Sequence, residues 1–329
     1  MSETDYNRVL GRNTSLLPDE YSKEIIQALP TSSFCMRMMK KLPDMNAQTF
    51  KIPVMSTFPS AYFVGETVQE TRATKKTTKM AWTGVDLVAE ELAVIVPVPE
   101  SVIEDMASGG YDLWGEVKPR LVEAIGAKVD SAILFNDGGN IGPDTWPDGI
   151  VTQATDKGNV VDVSDQVGAN KDFADLAGAI LADNGLFSLV EQSGFIVNGA
   201  MGAVSMMGKL RGLRTTDGQF IFMNDMRSPN DYRLAGVPLT FPNNGAFDPT
   251  KALLVVGDFS QAVYAVRKDI TFKVATEASI HSNTGDLQYN LFQDDMVALR
   301  VTMRMGWQLP NPVTLVKGSS GLPFAVLVP

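Results

Sequence analysis

Histidine and cysteine are nearly missing from this chain, which has one of each in 329 residues. A Cys/His zinc centre needs more such ligands than exist here. A disulfide within the chain is excluded, which speaks for a reducing compartment. A Ser–His–Asp relay has only His281 to draw on, in the polar run Ala278-Ser-Ile-His-Ser-Asn-Thr-Gly285. A solvated loop histidine is expected there rather than a general base. Cys35, in Ser33-Phe-Cys-Met-Arg-Met-Met39, is expected as a small buried hydrophobe and not as a reactive thiol. No apolar run approaches the roughly 20 residues of a membrane-spanning helix. The opening Met1-Ser-Glu-Thr-Asp-Tyr-Asn-Arg8 has neither the basic start nor the apolar stretch of a signal peptide, so a cytoplasmic, membrane-free protein is expected. Lys and Arg number 28 against 38 Asp and Glu, giving a net charge of −10. That balance argues against general nucleic-acid binding, which needs cations in excess.

What is present is ample apolar material: 44% hydrophobic residues, enough for one large or two modest domains, with 28 Gly and 18 Pro for many turns. Residues 1–20 are polar and broken by Gly11, Asn13 and Pro18, as an extended arm would be. Tyr21, Ile25, Ile26 and Leu29 then mark one face of a short helix closed by Pro30. Phe50, Ile52 and Val54 alternate with Lys51, Pro53 and Met55. Met80 and Trp82, and later Leu92, Val94, Val96 and Val98, also fall on every second position. Between these runs lies the polar stretch Gly65–Lys79. The combination predicts a long β-hairpin over 49–98 that projects from a body. A lone ribbon is marginal in water, so a second copy of the protein is expected to cover its apolar side.

Beyond the hairpin, Ser101–Met106 predicts a short helix and Pro119–Phe135 a longer one, with Asp112–Lys118 a separate turn or a kinked approach at Pro119. Gly142–Gly149 is turn chemistry. Phe173, Leu176, Ala177, Ile180 and Leu181 follow a helical template. Phe195–Val197 is expected as a short buried strand, with Asn198 capping a helix over roughly Ala200–Leu210. Short strands are expected at Val237–Phe241, Ala252–Val256, Gln261–Val266 and Ile270–Val274. Val297, Leu299, Val301, Met303, Met305 and Trp307 share one face of a longer strand, and Phe324–Val328 forms a last one.

Several stretches imitate reactive sites. Gly202–Leu210 has one residue too many between its glycines for a phosphate loop, and Leu where Ser or Thr must hold magnesium, so its methionines are read as helix packing. Glu90-Glu91, Glu104-Asp105 and Asp294-Asp295 are carboxylate pairs of the kind that hydrolases use. Solvated charge is the simpler account of them. The loop Asn136–Asp148 carries oxygen ligands without the spacing of an EF-hand. No catalytic, cofactor-binding or metal-binding residue is assigned.

The order of parts resembles the major capsid proteins of tailed double-stranded DNA phages, the Hong Kong 97 type. The likeness is carried by Leu17-Pro-Asp-Glu-Tyr21 through Leu29, Lys51-Ile-Pro-Val54, and Ala61-Tyr-Phe-Val-Gly-Glu66. It continues through Pro119–Asn136, Pro147-Asp-Gly-Ile150, Ser193-Gly-Phe-Ile-Val-Asn198, Leu234-Ala-Gly-Val-Pro-Leu239, and Val256-Gly-Asp-Phe-Ser-Gln261. Arg300–Gly306 and Leu322–Val328 close it. No single motif is specific; their succession is. The resemblance implies an α+β fold with an N-terminal arm and short helix (1–47) and an extended β-hairpin loop (48–99). It further implies a peripheral domain with a spine helix (100–150 and 286–329) and an axial domain (151–285). It implies a non-enzymatic shell subunit of the virion, assembled in the host cytoplasm as pentamers and hexamers around double-stranded DNA that it does not bind specifically. Scaffold, portal and decoration proteins are the implied further partners, and the long charged helical leader that some relatives use as a built-in scaffold is not expected here. Inter-subunit contacts are expected at Glu66, Glu70, Arg72, Lys75, Lys76 and Lys79 of the loop tip and at Arg300 and Arg304. Some relatives cross-link a loop Lys to a neighbour's Asn; the three lysines are available here, with no Asn aligned to them. The alternatives are an encapsulin-like compartment of the same fold, a carboxylate hydrolase, and a tail or decoration protein.

Overall fold

The computed structural model describes residues 33–61, 77–108, 113–163, 173–213, 219, 232–282 and 284–329. In chain order these form α1 (Phe34–Met38), β1 (Lys40–Lys41), β2 (Thr49–Thr57), β3 (Ala81–Val88), β4 (Glu90–Pro99), α2 (Glu100–Ser108), α3 (Leu113–Phe135), α4 (Ile150–Asp156) and β5 (Val160–Asp162). Then follow α5 (Phe173–Leu181), α6 (Leu186–Gln192), β6 (Gly199–Gly202), α7 (Val204–Gly212), β7 (Arg233–Leu234), β8 (Val237–Thr240), β9 (Leu254–Gly257) and β10 (Val263–Ala275). The chain closes through β11 (Ser279–His281), β12 (Leu287–Asn290), β13 (Met296–Gln308) and β14 (Phe324–Val328). The expected arm and first helix, residues 1–30, lie outside the described residues.

One sheet is built on the long alternating strand. β13 pairs antiparallel with β10 on one side and β4 on the other, and β1 completes the order β1-β10-β13-β4. The expected alternation holds: Leu299, Val301, Met303, Met305 and Trp307 are buried on one face, beneath Leu121, Val122, Ile125, Val129 and Ile133 of α3. Those helical residues recur three and four apart, which gives α3 one apolar stripe to lay on the sheet. The helix runs unbroken through Pro119, so Leu113–Lys118 is part of it and not a separate turn. Proline removes one amide from the ladder and its ring presses on the carbonyl four residues back, which here belongs to Gly115. The two strands expected at 261–266 and 270–274 are one strand, β10, whose register against β13 shifts between Val266 and Thr271.

The other sheet has the order β5-β14-β9-β6-β8-β7 and is covered on both faces. Ala325 and Leu327 of β14, Leu254 and Val256 of β9, and Ala200 of β6 face α5, α6 and α7 through Ile180, Leu186, Val190, Met206 and Leu210. Phe324, Val326, Val255 and Met201 face the opposite way and join the core of α3 and α4. Burial on both sides is why these strands read as continuous apolar runs. Two local expectations fail here. Phe195–Val197 is not a strand, and Ile196 is 84% exposed. Gly199–Gly202 is strand β6, so the helix begins only at Val204. Asn198 instead bonds across to Asp258 and to the Phe259 amide.

Strand pairing also divides the chain differently from the expected segmentation. β14, assigned to 286–329 with the spine helix, sits between β9 and β5 of the six-stranded sheet. β10, assigned to 151–285, lies beside β13. β4, assigned to the hairpin, pairs over its whole length with β13 from Met296↔Pro99 to Met305↔Glu90. Each pairing joins residues distant in sequence, which local patterning does not register.

A single carboxylate ties three of these parts together. Asp130, on α3 and 1% exposed, accepts hydrogen bonds from Ser33 Oγ (2.6 Å), the Phe34 amide (2.9 Å), the Cys35 amide (3.0 Å) and Asn244 Nδ2 (2.7 Å). Ser33 Oγ in turn accepts from the Met36 amide. The first amides of α1, which no helical carbonyl can reach, are thus satisfied, and the anion sits at the positive end of that helix. Burial and the neighbouring Asp130 carboxylate push the Cys35 thiol well up, so it is an inert packing group, as expected. Asp130→Ala is expected to cost about 3 kcal/mol or more, because it strands buried donors on three segments. Denaturant unfolding of the unassembled subunit measures this.

Candidate assembly surface

The hairpin exists, and its strands are β2 and β3, paired antiparallel from Thr49↔Val88 to Thr57↔Ala81. They form a two-stranded sheet of their own. Its base is tightly fixed. Ala89 is the one residue between β3 and β4, and its amide donates to the Gln48 carbonyl at 2.8 Å. Trp146 Nε1 donates to the Val88 carbonyl (3.2 Å) and Gln308 Nε2 to the Asp86 carbonyl (2.9 Å). Leu87 is fully buried with Met45, Ala89, Val263 and Ala265, over the face of the sheet opposite α3. Gly306 makes that seat possible, since a Cβ there would come within 2.7 Å of Leu87 Cδ2 and closer still to the Val88 carbonyl.

Cover is already incomplete beside the base, where Phe50, the partner of Leu87, is 39% exposed, and it falls away beyond: Met80 is 51% exposed and Trp82 59%. These three are large apolar groups on a ribbon that nothing else in the described chain shields. Lys79, expected at the loop tip, is exposed just before β3. Glu66, Glu70, Arg72, Lys75 and Lys76 lie outside the described residues.

Arg300 and Arg304 fall together on the sheet face away from α3. Register places Lys268, Arg304 and Glu91 in one cross-strand row and Lys273, Arg300 and Ile95 in another. Arg304 Nε donates to Glu91 Oε2 at 2.7 Å, and the guanidinium holds the Glu91 carboxyl below the usual carboxylate range. The face therefore carries four cations against one carboxylate on a chain whose net charge is −10.

The decoy sites do not assemble. Glu90 and Glu91 are consecutive on a strand and point to opposite faces; Glu90 accepts from Thr145 Oγ1 at 2.7 Å. Asp294 accepts from the Asn290 amide in a turn, and Asp295 lies nine residues of strand away from Arg304, about 30 Å. Asn136 organises its loop by bonding Pro147, Gly142, Gly149 and Thr152. Among the described residues there is no cluster of three or more His, Cys, Asp or Glu that would hold a metal, and no helix long and apolar enough to cross a membrane. His281 is exposed at the end of β11. Met206 is fully buried in the helix that imitates a phosphate loop, as packing requires. The role of Asp130 escaped the sequence analysis, although a lone acid between Val129 and Ile133 on an apolar helix stripe was a visible signal.

The described residues leave the ribbon and the cationic sheet face uncovered, as in a protein that works in assemblies. The chain matches the phage capsid family over residues 13–319, and it belongs to that family. It is 27% identical over 304 residues to the major capsid protein of Staphylococcus phage 80alpha, covering 92% of this chain and 84% of that one. A solved structure from Microbacterium phage Oxtober96 superposes with a TM-score of 0.73 at 34% identity, covering 90% of this chain and 91% of the other. One from Mycobacterium phage Bobi gives 0.74 at 28% identity, with 90% of each chain covered. The fold is thus the tailed-phage capsid fold, α+β as expected.

Gly306→Ala is expected to lift Leu87 and Val88 off the sheet at a cost of about 1–3 kcal/mol and to loosen the ribbon base, seen as faster amide exchange at Ala89. Glu91 has its folded pKa below its unfolded one, so its contribution is complete above the unfolded value and disappears as pH falls through the folded one. The stability difference between wild type and Arg304→Gln should therefore be present at neutral pH and shrink as pH drops below the usual carboxylate range. Paired acid titrations of the two proteins check this.

Proposed function

We propose that this chain is the major capsid subunit of a tailed phage, self-assembling as pentamers and hexamers into a shell that encloses double-stranded DNA. The observation that carries the proposal is the ribbon: it exposes Phe50, Met80 and Trp82, and the family match runs through it. Each ribbon lies across an adjacent subunit, burying its apolar side chains there while its tip charges, Glu66, Glu70, Arg72, Lys75, Lys76 and Lys79, pair with that neighbour. Arg300 and Arg304 form part of the surface met by another copy. The four-stranded sheet with α3 acts as the peripheral domain and the six-stranded sheet with its helices as the axial domain. A contact of standard size buries about 1,600 Å² in total, and many such contacts per copy make the shell durable. The role is structural and non-enzymatic, with assembly in the host cytoplasm and incorporation in the virion. Net charge −10 suits a wall that holds DNA without gripping it, and screening salt assists the approach of like-charged copies. An enzyme-loaded compartment of the same fold is disfavoured, since the relatives described above are phage proteins.

Deleting Glu66–Lys79 is expected to leave a folded subunit that no longer closes into shells. Negative-stain microscopy and thermal unfolding of the same preparation read both halves of this. Shells of normal size and yield from the deletion would overturn the ribbon's role.

A further inference from the structure

A cavity of about 350 Å³ opens between β4, α3 and the loop after α3. Its walls are mostly apolar, with Leu92, Val94, Ile125, Ile141 and Trp146 among them, and the charged groups at its lining are Glu90, Glu91 and Lys128. Nothing in the described chain fills it. We propose that this cavity is the seat for Trp82 of a second copy, with Met80 packing beside it. The inference rests on the shell-subunit reading and names the seat that the ribbon uses.

Three observations point to that occupant. The first is size and polarity: the indole is the largest exposed apolar side chain of the ribbon, and a cavity of about 300 Å³ or more with few polar groups suits such a ring. The second is charge, since Lys79 lies three residues from Trp82, and Glu90, on the face of β4 toward α3, lies at the cavity. The third is reach. Trp82 stands eight residues before Glu90 on nearly continuous strand, about 26 Å away, so the ribbon carries its own Trp82 away from its own cavity. A group that projects outward on one copy and a recess at the root of the same ribbon make a head-to-tail contact. Such contacts close into rings when the rotation permits.

The test uses the full chain. Of its four tryptophans, Trp82 is 59% exposed, Trp114 is half-buried, and Trp146 and Trp307 are buried, so the quenching is read in a Trp114→Phe background. Iodide should quench the Trp82 emission of unassembled subunits, and that quenchable share should fall when shells form. Trp82→Ala should raise the concentration needed for assembly about tenfold or more, as loss of a central anchor does. Ala124 is exposed on α3 and lines the cavity, so Ala124→Phe fills it from within. This variant should melt like wild type as a subunit and show the same assembly defect. Shells in which Trp82 stays fully quenchable, or an Ala124→Phe protein that assembles at wild-type concentration, would overturn the seat and leave the shell reading standing. Failure of the wild-type chain to form closed particles under any condition tried would remove the shell reading and the seat together.

Discussion

Asp130 is a charge placed where charge is costly, in the middle of the apolar stripe by which α3 lies on its sheet. It is tolerable only because four donors converge on it, from the turn into α1, two α1 amides and the loop at Asn244. The dependence runs both ways, since those donors are buried or partly buried and have no alternative acceptor of comparable strength. α1 is too short to hold itself together in water. It is positioned by this carboxylate, and the strand that follows it, β1, then adds to the edge of β10. The alignment of the chain's entry with the body is therefore a polar device set inside an apolar core.

The two sheets meet through shared packing. The helix stripe of α3 buries the face of β13, and the reverse face of the six-stranded sheet presses into the same core through Phe324, Val326, Val255 and Met201. Phe259 stacks edge-on against Phe324 at 5.0 Å within it. The face of the four-stranded sheet away from that core is different in kind. Its Gly306 end is covered by Leu87 with Met45 and Ala89, and beyond that the cations stand in rows. Core chemistry on one side and an excess of cations on the other make the sheet a partition between the inside of the subunit and whatever lies against it.

Much of this was legible in the residues. The alternation of β13, the stripe of α3, the ribbon's two strands and the terminal β14 all follow from one-dimensional periodicity, which reports which face is buried. What was not legible has a common cause: it depends on partners far away in the chain. Pro119 suggested a helix boundary, yet packing of Leu121, Val122 and Ile125 holds the helix through it. Phe195–Val197 looks like a strand because it is apolar, yet the paired residues are Gly199–Gly202, whose Gly202 leaves room for Leu254 and Phe241. The split of β4 from the hairpin and of β14 from β13 required knowing which strands pair. Of the expected contact residues, Arg300 and Arg304 share a face because they are four apart on one strand, a spacing the sequence displays openly.

The absence of slack between β3 and β4 has a mechanical meaning. With Ala89 alone between them and its amide clamped to Gln48, the ribbon is a rigid extension of the body sheet, without a joint. The direction it takes is governed by how that sheet coils. Over an arm of about 30 Å, a reorientation of about 10° at the root carries the far end through about 5 Å. Substitutions deep in the body, remote from any neighbour, thereby re-aim the lever and alter where it lands.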